Sequence, residues 1–323
     1  MTSAEGRASG AAVWTALVTV YIVWGSTYLA IRVVVEADIP PLLGMGVRFL
    51  AAAALLIGFL ALRRGAGSLR VTWRELRAAA IMGTLLLLMG NGFVAIAEQT
   101  VPSGLAALIV GAVPLWFVLL RVVGGERPRA VTWLGVLVGF GGIAAISLPR
   151  GGIDDVEPWG VLLILLATLS WALGSFLSPR LGLPRGALLA TAYEMLMGGV
   201  IMTAVALVAG EVNGFTPGEV PARGWLALGY LIVVGSLLGY TAYVFALANA
   251  PLSLVGTYAY VNPVVAVFLG WLILSEPVTA IVLGGGLLVV LGVALVVSGE
   301  RRPRVAEVEQ APPPPVPEPA RSS

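Results

Sequence analysis

Neither cysteine nor histidine occurs in these 323 residues, and lysine is missing as well, so all 19 basic residues are arginine. The first absence excludes disulfides and thiol catalysis, and the second excludes imidazole proton relays. Together they remove the usual ligands of zinc and haem, so no metal or cofactor is expected. Charged residues are scarce too, at 11% against 59% apolar residues, with a mean hydropathy of +0.97. Such values lie far from those of soluble domains and set the class as an integral membrane protein. Arginine without lysine, beside heavy alanine and glycine use, points to a GC-rich bacterial genome. The pI near 9.1 is no sign of nucleic-acid binding, because the arginines are placed for topology. An enzyme embedded in the membrane fits poorly, since dispersed single charges offer no catalytic cluster.

Apolar runs long enough to cross about 30 Å of hydrocarbon extend over Ala12 to Ile31, Pro41 to Leu62, Ala78 to Ile96, Gly104 to Leu120 and Val131 to Leu148. Five more run over Gly160 to Leu177, Ala187 to Val208, Trp225 to Leu247, Ser253 to Leu274 and Ala280 to Val297. The expected fold is therefore all-α, with ten transmembrane helices and no separate soluble domain. The first run is too long for a signal peptide and lacks a cleavage site, so it reads as a span. Arginines 63, 64, 70, 74, 77, 121, 127, 129, 180, 185, 301, 302 and 304 fall on one side of the alternating spans. By the positive-inside rule that side is cytoplasmic and holds both termini. Only Arg32, Arg150 and Arg223 fall near the outer face, with Glu36, Asp38, Asp154, Asp155, Glu157, Glu211 and Glu219.

Pro102, Pro114 and Pro128 recur at one constant offset as Pro251, Pro263 and Pro277. Gly90 with Gly239, Ala97 with Ala246, Leu105 with Leu254 and Gly135 with Gly284 keep the same offset, and Trp24 matches Trp171 at nearly that spacing. The spans thus divide into two repeats of five, and an odd number inverts the second, as in secondary transporters. The implied organisation is a cytoplasmic N-terminus (1–11), a first repeat (12–149), a second repeat (159–298) and a cytoplasmic tail (299–323). The tail, with its run Pro312 to Pro315, has no apolar period and reads as disordered polyproline-like chain.

Polar groups inside spans are costly and mark functional sites. Trp24-Gly25-Ser26-Thr27-Tyr28 and Ser170-Trp171 followed by Gly174 and Ser175 suit either close helix packing or an amphipathic pocket wall. Asn91, Ala95 and Glu98 share a helical face, with Glu98 near the outer end, where a solvated helix terminus is the plain reading. Tyr258 and Asn262 lie one turn apart, and Pro263 frees a carbonyl one turn earlier. This arrangement serves either ligand recognition or satisfaction of the kink. Tyr240 and Tyr243 add an aromatic wall. Arg48 and Glu194 sit about 10 Å from opposite faces, judged at 1.5 Å per residue, so each is expected to need a partner other than the other. Arg48 reads as a structural charge bonded to carbonyls. Glu194 is the proton-coupling candidate, because a carboxyl in low dielectric takes up a proton readily, with snorkelling as the alternative.

The motifs Trp24-Gly25-Ser26-Thr27-Tyr28, Val47-Arg48-Phe49-Leu50-Ala51-Ala52, Gly90-Asn91-Gly92, Ala97-Glu98, Val101-Pro102-Ser103-Gly104, Glu194-Met195 and Tyr258-Ala259-Tyr260-Val261-Asn262-Pro263-Val264-Val265 resemble the EamA-type drug/metabolite transporters, specifically the YedA-like exporters. The resemblance spans about residues 12 to 298. It implies a bacterial inner-membrane carrier that exports amino acids, small metabolites or drug-like compounds through a central cavity between inverted halves. Carried onto this chain, the cavity candidates are Trp24, Thr27, Asn91, Trp171, Tyr240, Tyr258 and Asn262, with Pro114 and Pro263 at kinks. The partners so implied are a small-molecule substrate and the bilayer, and the reading admits protons and a second copy of the chain. A membrane sensor or scaffold that binds a small molecule without moving it is the alternative. A channel is disfavoured, because no ring of charges or carbonyl filter is visible.

Overall fold

The computed structural model describes residues 9–147, 157–250, 252–255 and 257–300. Pro251, Arg150, Asp154, Asp155, arginines 301, 302 and 304 and the proline-rich tail lie outside the described residues.

Among the described residues the apolar runs are helical except for turns at Gly111, Ala112 and Thr257. In chain order the helices are α1 (Gly10–Glu36), α2 (Pro41–Arg64), α3 (Trp73–Ala97), α4 (Ser103–Val123), α5 (Ala130–Ser147), α6 (Pro158–Leu177), α7 (Ala187–Val208), α8 (Ala222–Ala246), α9 (Tyr258–Leu274) and α10 (Ala280–Glu300). No strand occurs among the described residues. Eight of these helices are long and apolar enough to cross a bilayer; the apolar stretches of α5 and α9, Ala130–Ala145 and Val261–Leu274, are shorter.

Local chemistry sets the helix ends. Ser9 Oγ accepts from the Ala12 amide at the start of α1. At the start of α3, Thr72 accepts from the Glu75 amide and the Glu75 carboxylate accepts from the Thr72 amide, a reciprocal cap. Proline opens α2 and α6, where the lost N–H costs nothing. Gly65, at φ +79°, ends α2 in a conformation that side chains resist.

In a lipid-facing protein large apolar residues point outward, and Leu62, Val123 and Val208 are about nine-tenths exposed. Helix association then rests on small residues that let backbones meet. A Cβ on Gly142 would lie 2.7 Å from the Gly285 carbonyl, and one on Gly135 2.6 Å from that of Gly292, so α5 and α10 run backbone against backbone. Gly199 meets the Leu50 amide in the same way between α7 and α2, and Gly83 meets Gly198 between α3 and α7.

The packing follows a pattern. Helix α1 packs on α8 and α9, while α6 packs on α3 and α4. Helices α2 and α7, α4 and α9, and α5 and α10 pair with one another. Exchanging α1–α5 for α6–α10 leaves this set of neighbours unchanged.

Two features depart from ten uniform helices. Residues 83–92 of α3 and 231–238 of α8 wind as π-helix, and α4 is interrupted at Gly111 and Ala112. Pro114 accordingly lies in the first turn of a new segment, where it restarts the helix instead of kinking it. Pro263 is inside α9.

Candidate functional site

Helices α1, α2, α3, α4, α6, α8 and α9 line a partly open cavity whose space, including its open mouth, is about 830 Å³. Its aromatic side is centred on Trp24. The indole lies edge-on to Tyr240 at 5.3 Å, Tyr258 at 5.5 Å and Trp171 at 6.5 Å between ring centroids, and tilted against Tyr243 at 4.8 Å. Edge-to-face contacts of this kind fix ring orientation as well as burying area.

Glycines make room for the two indoles. A Cβ on Gly239 would lie 2.6 Å from Trp24 Nε1, and one on Gly90 2.9 Å from Trp171 Cε3. Each tryptophan is therefore seated against a glycine from the other half of the chain.

The polar groups are few and mostly tethered. Thr27 Oγ donates to the Trp24 carbonyl at 2.7 Å, and Asn91 Nδ2 to the Leu86 carbonyl at 3.1 Å. The second bond spans five residues, because the backbone there is π-wound. With its amide oriented to satisfy both neighbours, Asn262 donates to the carbonyls of Tyr21 and Tyr258, each at 3.2 Å. One bond ties α9 to α1 and the other spans the turn before Pro263. The seven residues singled out from sequence for the cavity, Trp24, Thr27, Asn91, Trp171, Tyr240, Tyr258 and Asn262, all lie on its wall, as does Pro263. Tyr28 and Thr168, not singled out as candidates, lie there too. Their signal was the helical spacing Trp24–Tyr28 and Thr168–Trp171, which also suits packing. Pro114 and Glu194 are not on the wall. Glu194 is part-buried on α7, the helix that packs along α2.

Two charged residues differ from expectation. Arg48 is buried, 3% exposed, yet it reaches the cavity wall. Its Nε donates to Ser236 Oγ at 3.0 Å, Nη1 to the Met45 sulfur at 3.6 Å, and the guanidinium stacks 4.7 Å from the Phe49 ring centroid. Side chains, not carbonyls near the outer face, hold it. Glu98 is wholly buried instead of ending the helix in solvent, and neither carboxyl oxygen has a hydrogen-bond partner. Arg32 pairs with Glu36 at 2.6 Å and donates to the backbone carbonyl of Glu98.

The EamA-like transporter family model matches this sequence twice, over residues 11–148 and 158–298. The uncharacterized inner membrane transporter YedA of Escherichia coli (strain K12) is 44% identical over 281 residues, covering 83% of this chain and 89% of that protein. Protein PecM of Dickeya dadantii (strain 3937) is 29% identical over 302 residues, covering 90% and 94%. The uncharacterized transporter YvbV of Bacillus subtilis (strain 168) is 27% identical over 305 residues, covering 91% and 95%. One solved crystal structure aligns with a TM-score of 0.60 over 89% of this chain and 96% of that one, at 20% identity, a likeness of fold.

Proposed function

The chain belongs to the EamA-like transporter family, and from that premise we propose that this multi-pass inner-membrane transporter exports a small amphipathic metabolite by alternating access around the central cavity. The observation that carries the proposal is the cavity itself: a ring of aromatics and a few tethered polar groups, built by helices from both halves of the chain.

In this reading α1–α5 and α6–α10 are two inverted five-helix repeats, residues 12–149 and 159–298, crossing the membrane ten times with both termini cytoplasmic. The double family match supports it, as does the exchange symmetry of helix neighbours. The π segments at 83–92 and 231–238 occupy corresponding places in the two halves. The crossed pairs Trp24–Gly239 and Trp171–Gly90 are what a two-fold relation would generate. Alternating access then amounts to rocking one half against the other, with the interruption of α4 before Pro114 and the proline inside α9, Pro263, giving way. Trp24, Thr27, Asn91, Trp171, Tyr240, Tyr258 and Asn262 contact the substrate, and Glu194 carries a coupling proton.

The test is efflux from proteoliposomes loaded with a mixed pool of amino acids and small metabolites, read by mass spectrometry against protein-free vesicles. Selective loss of one compound class is expected. Retention of every compound by folded, reconstituted protein would overturn the carrier reading.

A further inference from the structure

The cavity holds one feature that aromatic packing does not explain. Arg48 is a buried cation with no carboxylate partner among the described residues, whose ion pairs are Arg32–Glu36 and Arg121–Glu126. A guanidinium carries five N–H donors. Two of them are used, one on the Ser236 hydroxyl and one on the weakly accepting Met45 sulfur. Among the described residues no hydrogen bond is formed by Nη2; it lies beside Gly235, 3.4 Å from where a Cβ would stand, and that same point is 3.1 Å from the Thr27 methyl. Thr27 and Arg48 both line the cavity.

Burying a cation without its counter-charge is costly. A salt bridge to Glu194 or Glu98 would cancel that cost, and neither is formed. The cavity wall includes no aspartate or glutamate. Its fixed charge is therefore the single positive one of Arg48, facing a chamber otherwise walled by Trp24, Trp171, Tyr240 and Tyr258.

We propose that Arg48 is the anion-binding residue of the cavity and that the transported molecules are small organic carboxylates with an apolar or aromatic body. The carboxylate takes the free guanidinium donors, which suit the planar geometry of a carboxyl group. The body lies in the aromatic box. Binding supplies the counter-charge that the protein withholds, so an empty cavity is electrostatically incomplete and a filled one is not. Neutral analogues lose that gain, and amines meet a like charge with no carboxylate to receive them. The inference rests on the carrier reading above for the word "transported"; the binding itself does not.

Three aromatic probes of similar size separate the possibilities: phenylacetate, phenylacetamide and phenethylamine, titrated calorimetrically into the detergent-purified chain. A hydrogen bond to a charged group sets the scale, so phenylacetate is expected to bind about tenfold or more tighter than the amide, and the amine more weakly still. Arg48→Gln should erase the preference for the carboxylate, and Arg48→Lys should restore part of it. Because the preference is read first on the unaltered protein, the test survives a variant that fails to fold. Equal binding of amide and carboxylate, preference for the amine, no binding of any probe to folded protein, or an undiminished preference in folded Arg48→Gln would each overturn the proposal. The mixed-pool efflux separates its failure from that of the carrier reading. Export confined to neutral or cationic compounds would remove the carboxylate assignment and leave the carrier standing. Carboxylate-selective binding without efflux would do the reverse.

Discussion

At the scale of single residues, the positions of Trp24 and Trp171 depend on what is missing opposite them. Gly239 leaves room for the Trp24 indole and Gly90 for that of Trp171, with Cβ clearances of 2.6 and 2.9 Å if either were alanine. Both distances are below ordinary contact, so an added methyl must displace an indole that anchors the aromatic box. Overpacking of this kind costs about 1–3 kcal/mol. Gly239→Ala should therefore lower the melting temperature by a few degrees and impair efflux of whichever compound the vesicle assay identifies. Alanine improves helix propensity, so an unchanged melting temperature and flux would show that Trp24 has slack. Tyr258→Ala and Asn262→Ala are expected to differ from each other. Tyr258 contributes a wall, and its loss should abolish transport in protein that still inserts and runs monodisperse in detergent. Asn262 also ties α9 to the Tyr21 carbonyl of α1, so its loss should reduce both transport and thermal stability. Size-exclusion profiles and melting curves on the same preparations separate the two effects.

At the scale of elements, the helices were legible because about 20 apolar residues crossing a bilayer have no alternative to helical hydrogen bonding. The described parts of the runs are helical, and Trp24 and Trp171 each sit against a glycine from the other half of the chain. The π segments in α3 and α8 were not legible: a one-residue change in hydrogen-bond register leaves no compositional trace in runs such as Leu85-Leu86-Leu87-Leu88. The reach of Arg48 was also hidden. Linear depth gave no reason to pair it with Glu194, and no such ion pair is formed among the described residues, but which way a helix face turns depends on neighbours that a single span does not reveal. Glu98 was misjudged for a related reason, since the burial of a helix end depends on neighbouring elements that the span itself does not reveal. Small residues beside Trp24 and Trp171 left close packing and a pocket wall both open from the sequence, and the α5–α10 pair shows close packing most sharply. A side chain at Gly142 would enter the Gly285 backbone, where no rotamer of a neighbour can relieve it. Gly142→Leu should separate these helices and strongly reduce folded protein in the membrane fraction. Gly141→Leu, one residue away where a Cβ meets nothing within 4 Å, should be tolerated, and equal yields of the two variants would contradict the packing.

At the scale of the whole molecule, the second half holds the first by carboxylates set on helix N-termini. Glu276 accepts from the amides of Ser103 at 2.7 Å and Gly104 at 3.0 Å; Glu211 accepts from those of Leu42 at 3.3 Å and Leu43 at 2.8 Å. Both clasps oppose a negative group to the positive end of a helix, and both join residues on opposite sides of the repeat boundary. Glu276→Ala leaves two part-buried amides unpaired, a loss of about 1–3 kcal/mol, and should lower the melting temperature where the exposed Glu219→Ala does not. A rocking mechanism must also be driven, and here the sparse charge of the chain narrows the choice. With no histidine, a coupling proton has to ride on a carboxyl, and Glu194 is on α7, which packs against helix α2 and the π segment of α3. If it carries the proton, efflux from vesicles should accelerate under an imposed pH gradient, and Glu194→Gln should retain flux down the substrate gradient while losing that acceleration. A Glu194→Gln protein that still responds fully to the pH gradient would exclude the residue from coupling. Flux indifferent to the pH gradient in the unaltered protein would instead make the carrier a facilitator, driven by the substrate gradient alone.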